Sequence, residues 1–250
     1  MKKVIINADD FGITKGVSLG ILDSMEQGIV TETTAMANGL YIEEALKEAE
    51  KRGINNIGIH LTLSWGKPIL PKEEVSSIVD ETGNFYRRIE NVKKPNFVEV
   101  EKELRAQISK LLLLGLKPTH LDAHHHFFVI NKELTDIVIK LAKEMNIPLR
   151  CVYSKDYEYY IEKGVKTTNN TSIDFYGDKT TKEFLIKLFE DADEDETLEI
   201  MCHPAYVDED LIKATSYNTN RAKEFEVLTS SSMIEYIKNN DIKLIGFNEI

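Results

Sequence analysis

All six histidines of this chain lie in three short segments, and each segment is associated with an apolar run. These segments are Gly58–Leu61, Thr119–His126 and Met201–Pro204. A fourth segment places two adjacent aspartates, Asp9 and Asp10, directly after an apolar run in the same way. Imidazole and carboxylate groups that meet where strands end have the composition of a divalent-metal hydrolytic site. The sequence therefore predicts metal-assisted hydrolysis.

The two adjacent aspartates can divide the work of such a site. One carboxylate can ligate a cation while the other accepts a proton from water, because burial and a neighbouring cation separate the pKa values of two carboxyl groups. From the residues alone, Asp9 and Asp10 can exchange these roles. Both can instead cap the helix predicted to begin at Thr14, or line a solvated turn.

Within the segment Thr119–His126, three consecutive histidines follow Leu121-Asp122-Ala123. A strand has little reason to place imidazoles on both of its faces, so the triplet favours function over packing. Strand alternation predicts that His124 and His126 lie on one face, together with Asp122 and His120, and that His125 points away. One or two of the three histidines can ligate a metal, and the others can orient the ligands through hydrogen bonds.

The two remaining histidines are less specific signals. His60 lies in an apolar alternation, where a lone histidine is more often a hydrogen-bonded core residue than a ligand. His203 follows an apolar run that Pro204 ends. An imidazole at such a strand end can act as a general acid or base, because its ordinary pKa is near neutrality.

Apolar strand-like runs alternate with amphipathic stretches along most of the chain, which predicts βα units around a parallel sheet. We predict strands at 3–8, 33–37, 56–61, 119–123, 148–152, 172–175, 198–202 and 243–246. We predict helices at 14–27, 42–51, 98–114, 132–145, 182–190, 218–225 and 230–239. Seven or eight such units imply an α/β fold, a (β/α) barrel with mostly parallel strands. The length of 250 residues fits a single domain over residues 1–250.

Composition limits the partners and the compartment. The formal net charge of -11 argues against nucleic acid or an anionic membrane surface as the main partner, since both require basic patches. No stretch is long and apolar enough to span a membrane, and the amino terminus lacks the pattern of a secretory signal. Two cysteines that form no framework are typical of a reduced setting. We expect a cytoplasmic protein with a small-molecule substrate.

Four motifs together resemble the YdjC-like carbohydrate deacetylase family, which includes chitooligosaccharide deacetylases. They are Asn7–Gly12, Gly58–Leu61, Thr119–His126 and Cys202–Pro204, so the resemblance extends over the full chain. The resemblance implies a (β/α) barrel of the glycoside hydrolase and deacetylase type. It also implies removal of an N-acetyl group from amino sugars or short chitooligosaccharides, with release of acetate, by a homodimer that uses one divalent metal ion, usually assigned as magnesium (Mg²⁺).

The resemblance also implies a role for each matching residue. The metal ligands would be Asp10, His60 and His124, with Asp9 as the general base and His203 as the general acid. Apart from the resemblance, the residue types predict that the neighbouring Asp122, His125 and His126 orient these groups. Aromatic side chains that could stack on a sugar include Trp65, in the long irregular segment 64–95, and Tyr206. In a βα barrel that segment lies on the catalytic face, where long loops build the substrate site.

Several alternatives stay open. Two imidazoles and one carboxylate suit zinc, cobalt, nickel or iron at least as well as magnesium, which prefers oxygen ligands and retained waters. The same ligands would serve a hydrolase of another amide or of a phosphoester, although no glycine-rich phosphate loop is present. A catalytically silent sugar-binding protein on the same barrel is the third alternative, but every expected acid, base and ligand position is filled.

Overall fold

Seven parallel strands form one sheet in the computed structural model, which describes residues 1–92, 94–194 and 196–250. The strands are β1 (Lys2–Phe11), β2 (Glu32–Ala35), β3 (Ile57–Leu61), β4 (Leu121–Ala123), β5 (Asn170–Ser172), β6 (Thr197–Cys202) and β7 (Ile242–Leu244). Their order is β4-β3-β2-β1-β6-β5, and β7 pairs with the first residues of β1. The predicted parallel α/β architecture is confirmed.

The sheet is a curled, open half-barrel, so the prediction of a closed barrel with seven or eight strands is wrong. Within the described ranges β4 and β5 form the two ends of the strand ladder, and no ladder joins them. The strand predicted at 148–152 is reduced to a single parallel bridge between Leu121 and Leu149. Its neighbour β4 is only three residues long and offers little backbone for pairing.

Nine α-helices surround the sheet in the described part of the chain. They are α1 (Lys15–Gln27), α2 (Ile42–Arg52), α3 (Phe97–Leu113), α4 (Lys132–Met145), α5 (Tyr157–Glu162), α6 (Lys182–Asp191), α7 (Glu209–Ala214), α8 (Thr219–Leu228) and α9 (Ser231–Asn239). All seven predicted helices are present, and the Thr14 side chain caps α1 as predicted. The two helices that were not predicted, α5 and α7, are too short to show a helical period. None of these helices combines the length and the apolar character of a membrane span.

The interior of the half-barrel is polar toward the carboxyl ends of the strands. Strand β1 is buried on both faces from Val4 to Phe11 because it is the central strand. On its inner face, Ile5 packs with Ile245 and Phe247 near the amino ends of the strands. Further along the same face lie Asn7 and Asp9, since side chains alternate along a strand. The segment predicted as irregular at 64–95 follows β3 and contains short helical turns; its residue 93 lies outside the described ranges.

A buried carboxyl group, that of Glu32, connects the amino ends of the strands to the carboxyl-terminal segment. It accepts hydrogen bonds from the backbone N–H of Phe247 (2.9 Å) and the hydroxyl of Thr119 (2.7 Å). Burial raises the pKa of Glu32 to about 7. His120 belongs to this cluster, because its ring stacks on Phe247 at 3.7 Å between centroids.

The raised pKa of Glu32 predicts a pH-dependent contribution to stability. The folded state binds this proton more tightly than the unfolded chain, so wild-type stability falls as pH rises from the ordinary value of 4.5 to about 7. The variant Glu32→Gln cannot ionise and should gain about 2 kcal/mol relative to wild type between pH 5 and pH 8. Urea unfolding of both proteins at the two pH values measures this difference. A difference that does not change with pH would contradict the account.

Candidate metal and catalytic site

The carboxyl ends of β1, β3 and β4 bring three predicted metal ligands together. The Oδ1 atom of Asp10 lies 2.9 Å from Nδ1 of His124 and 3.4 Å from Nε2 of His60. One potential ligand atom from each of the three buried residues lies within 4.8 Å of the others. A carboxylate oxygen and two imidazole nitrogens at these separations could hold a metal ion.

A local irregularity at the end of β1 allows both aspartates to face one pocket. Adjacent residues of a regular strand point in opposite directions. Here the pairing register with β2 shifts between Ala8 and Phe11, and Asp10 adopts a left-handed backbone with a φ of 73°. Asp9 and Asp10 consequently line the same pocket.

The histidine triplet does not follow strand alternation, and that prediction is wrong. Strand β4 ends at Ala123, and the chain continues in a kinked turn in which His125 and His126 have left-handed backbones, with φ values of 54° and 49°. This turn brings His124 to Asp10. The Nδ1 atom of His125 lies 2.9 Å from the Ser64 hydroxyl. Burial lowers the pKa of His125 to about 4 and that of His126 to about 3, so both rings are neutral near pH 7.

Asp122 fixes the orientation of His60. Its Oδ1 atom lies 2.6 Å from Nδ1 of His60, and its Oδ2 atom accepts a hydrogen bond from the Thr34 hydroxyl at 3.0 Å. If Nδ1 of His60 carries the proton, that nitrogen donates to Asp122 and the lone pair of Nε2 faces Asp10. This arrangement of carboxylate and imidazole is the one that commonly supports a metal-ligating histidine.

A buried arginine that the sequence reasoning missed holds Asp9. Nη1 and Nη2 of Arg150 donate to the two carboxylate oxygens of Asp9 at 2.7 and 2.8 Å. Nε donates to Glu199 at 2.6 Å, and Nη1 also lies 3.0 Å from Oδ2 of Asp122. Burial acts to raise the pKa of Asp9, but Arg150 outweighs it and holds that pKa below its usual range. One signal was available, since an arginine inside a predicted buried strand needs a charged partner.

A second buried arginine, Arg221 of α8, pairs with Asp10. Its Nη2 atom donates to Oδ2 of Asp10 at 2.6 Å, which leaves Oδ1 facing the two imidazoles. Burial acts to raise the pKa of Asp10, whereas His124 and Arg221 together hold it well below its usual range. No local pattern in the sequence marks Arg221, because the pair joins residues at opposite ends of the chain.

The positions of the buried arginine side chains indicate which group of ligand atoms could bind a cation. A second group of three potential ligand atoms is formed by Asp9, His60 and Asp122. The Arg150 guanidinium already lies against both of these carboxylates. Arg221 also pairs with Asp10, but only through Oδ2, so Oδ1 stays on the side of His60 and His124. The geometry therefore favours the group of Asp10, His60 and His124, in which one carboxylate oxygen has no guanidinium against it.

His203 lies in the same pocket and is held by α8. Its backbone N–H donates to the buried carboxylate of Glu224, and its Nδ1 atom lies 3.8 Å from Oε1 of that residue. The rings of Tyr176 and Tyr217 approach the imidazole edge-on, with centroids 5.8 and 5.7 Å away. The structure thus brings His203 together with Asp9, Asp10, His60 and the triplet.

Only one of the two predicted substrate contacts lies near this pocket. The site pocket has a volume of about 290 Å³ and shares His124, His125, Thr215 and Ser216 with an adjoining pocket of about 540 Å³. Trp65 lines the adjoining pocket and donates through Nε1 to the Ala214 carbonyl at 3.2 Å.

Tyr206, the second predicted substrate contact, is not among the residues that line either pocket. Its backbone N–H bonds to the Gly16 carbonyl, and its hydroxyl donates to Asp23. The chain that follows Pro204 therefore packs Tyr206 against α1, and its ring contacts Phe225.

Removing the cation that holds Asp9 should destabilise the fold. The variant Arg150→Met leaves Asp9, Asp122 and Glu199 buried without their partner, which typically costs about 3–5 kcal/mol. Arg105 is a matched control, since it also pairs with two carboxylates, Glu101 and Glu144, but is 41% exposed. Arg105→Met should cost no more than about 1 kcal/mol. Equal losses of unfolding free energy in the two variants, measured with urea, would contradict the assigned role of Arg150.

Comparison with known proteins agrees with these motifs. Residues 3–239 match the family model described as YdjC-like protein. The chain is 38% identical over 249 residues to the carbohydrate deacetylase of Clostridium beijerinckii, covering 99% of this chain and 100% of that protein. It is 41% identical over 243 residues to the carbohydrate deacetylase of Oceanobacillus iheyensis, covering 94% and 100% of the two chains.

Among solved structures, the fold is similar to a crystal structure of an Enterococcus faecalis V583 protein, with a TM-score of 0.92 and 36% sequence identity. The two structures match over 99% of this chain and 98% of the other. The resemblance carried by the four sequence motifs is therefore confirmed over nearly the whole length. The chain belongs to the YdjC-like carbohydrate deacetylase family.

Proposed function

We propose that the protein is a metal-dependent deacetylase that hydrolyses the N-acetyl group of acetylated amino sugars or short chitooligosaccharides and releases acetate. Family membership supports a hydrolase that cleaves an amide C–N bond. One observation supports this function above the others. A potential metal-binding group, a buried carboxylate and a histidine that could serve as an acid all face one pocket.

The residues present fit a divalent metal. Asp10, His60 and His124 would hold it, because their donor atoms already converge and Asp122 fixes the ring of His60. Such an ion, when bound, polarises a carbonyl group and lowers the pKa of a bound water. Magnesium is the ion that the family resemblance implies. The two imidazole donors suit zinc or another transition metal at least as well.

Asp9 is the proposed general base. The bidentate pairing with Arg150 keeps its carboxylate ionised and fixed in the pocket. Its Oδ1 atom already accepts from Asn7 and Arg150, whereas Oδ2 accepts only from Arg150 and keeps a lone pair that can take the proton of an attacking water. Arg150 then compensates the charge of the neighbouring carboxylates when Asp9 becomes protonated. By removing this proton, Asp9 activates the water that adds to the carbonyl carbon of the acetamide group.

His203 is the proposed general acid. Its imidazole faces the pocket, and its backbone is anchored to the buried carboxylate of Glu224. It donates a proton to the amine nitrogen as the C–N bond breaks, so that the amine leaves as a neutral group. The balanced reaction consumes one water and one acetamide and yields acetate and an amino sugar.

The two adjoining pockets fit a substrate longer than one sugar. The acetamide would occupy the smaller pocket beside the metal-binding group, and a second ring would lie in the larger pocket against Trp65. The two pockets adjoin, because both are lined by His124, His125, Thr215 and Ser216. Action in the cytoplasm and assembly as a homodimer stay predictions.

Metal-dependent acetate release is the direct test of this function. Chelated protein, and protein resupplied with magnesium, zinc, cobalt or manganese, would be incubated with N-acetylglucosamine and with N,N′-diacetylchitobiose. We expect acetate only from the metal-loaded protein, and more of it from the disaccharide, because the disaccharide can fill both pockets. Protein that binds metal and yet releases no acetate from any acetylated amino sugar would contradict the proposal.

Separate roles for the two aspartates predict separate effects of the same substitution. Asp9→Asn should lower turnover by about 100-fold or more, because it removes the proton acceptor, while the metal content stays unchanged. The matched variant Asp10→Asn should lose both metal and activity. Metal content by mass spectrometry and kcat from acetate release measure the two properties. Unchanged turnover in a folded Asp9→Asn protein would refute its role as the base.

A further inference from the structure

An aromatic pair on the pocket wall has no role in the chemistry described above. Tyr176 follows β5 and lines the site pocket with 46% of its surface exposed. Its ring stacks on that of Tyr217, with centroids 3.9 Å apart and an interplanar angle of 17°. A ligand in the pocket could therefore bury apolar surface of this side chain that is now exposed to water.

The second ring of the pair is a rigid support. The hydroxyl of Tyr217 donates to the buried carboxylate of Glu224 and accepts from the backbone N–H of Gly177 at 3.1 Å. These two bonds tie the ring both to α8 and to the loop that carries Tyr176. The backbone N–H of Tyr176 is itself bonded to the Asp174 carbonyl at 2.8 Å. Tyr176 is therefore held in place before any ligand binds, which limits the entropy that binding costs.

The pair also lies next to the group that would protonate the leaving nitrogen. Both tyrosine rings meet the imidazole of His203 edge-on, at 5.8 and 5.7 Å between centroids. A ring attached to the leaving nitrogen must pass close to this imidazole. The face of a pyranose that carries axial C–H bonds has partial positive charge and is attracted to the negative face of an aromatic ring.

We propose that Tyr176 is the platform on which the pyranose ring that bears the scissile N-acetyl group stacks. This inference rests on the proposed deacetylase function and makes Tyr176 a specificity-determining residue of the same site. It selects acetamides that are attached to a sugar ring over acetamides that carry the same reacting group without a ring. Trp65, in the adjoining pocket, is left to contact the second ring.

The test compares Tyr176→Ala with three other variants on two substrates. N,N′-diacetylchitobiose presents the ring, and N-acetylethanolamine presents the acetamide without a ring. Tyr176→Phe keeps the aromatic face, and Tyr176→Leu keeps apolar bulk without an aromatic face. The leucine variant also replaces the alanine variant if the latter does not fold. Tyr153→Ala is the matched control, because Tyr153 is 44% exposed and is not among the residues that line either pocket.

We expect Tyr176→Ala and Tyr176→Leu to raise KM for the disaccharide by about fivefold to tenfold, with kcat within about twofold of wild type. Tyr176→Phe and Tyr153→Ala should leave KM nearly unchanged, and hydrolysis of N-acetylethanolamine should not respond to any of the four. Isothermal titration of N,N′-diacetylchitobiose into metal-loaded protein carrying Asp9→Asn, with and without Tyr176→Ala, should show the same loss of affinity.

An unchanged KM for the disaccharide in folded Tyr176→Ala, with wild-type protein active, would overturn the inference and leave the proposed function standing. Equal losses on both substrates would also overturn it, since they would indicate a structural role. Wild-type protein that hydrolyses N-acetylethanolamine but no sugar would overturn the proposed function and the inference together.

Discussion

The rest of the site depends on the ion pairs that the buried guanidinium of Arg150 makes. It lies among Asp9, Asp122 and Glu199, which come from three different strands. Three carboxylates in a low-dielectric interior would repel one another and take up protons if no cation were present. With Arg150 in place, Asp9 stays ionised and Asp122 is free to orient His60. One ion-pair network therefore sets both the packing of the strand ends and the protonation of the proposed catalytic groups.

The same logic separates the two adjacent aspartates. Asp9 pairs with Arg150 through both oxygens, whereas Asp10 gives one oxygen to Arg221 and keeps the other toward His60 and His124. The left-handed backbone at Asp10 makes this divergence possible. Because both residues are aspartates, the sequence alone allowed Asp9 and Asp10 to exchange the roles of ligand and base. Their different cationic partners and the turn between them support the proposed division, with Asp10 as the ligand and Asp9 as the base.

Much of the architecture could be predicted because it depends on local patterns. The alternation of apolar runs and amphipathic stretches predicted all seven long helices, and also the central strand β1 and the strands that pair with it. The extent of closure could not be predicted in this way. The length of β4 is limited by the turn at His125 and His126, and a left-handed conformation of histidine leaves no mark on hydrophobic periodicity.

The site shows the same division between local and long-range information. Polar residues at strand ends identified the histidines and aspartates, since the carboxyl ends of parallel strands meet at one edge of the sheet. Arg150 and Arg221 were missed because their partners lie far away in the chain, and no spacing connects them. Tyr206, which was predicted as a substrate contact, lies outside the two pockets, whereas Tyr176, which was not singled out, lines one of them. The sequence does not separate these two residues, because their positions depend on how the loops fold.

The proposed cation-binding group contains Asp10, His60 and His124 and excludes Asp9. A crystal grown with cobalt, with diffraction data collected at the cobalt absorption edge, tests this most directly. We expect one anomalous peak about 2.0–2.2 Å from Oδ1 of Asp10, Nε2 of His60 and Nδ1 of His124, with Arg150 still on Asp9. A peak among Asp9, His60 and Asp122, with Arg150 displaced, would contradict it.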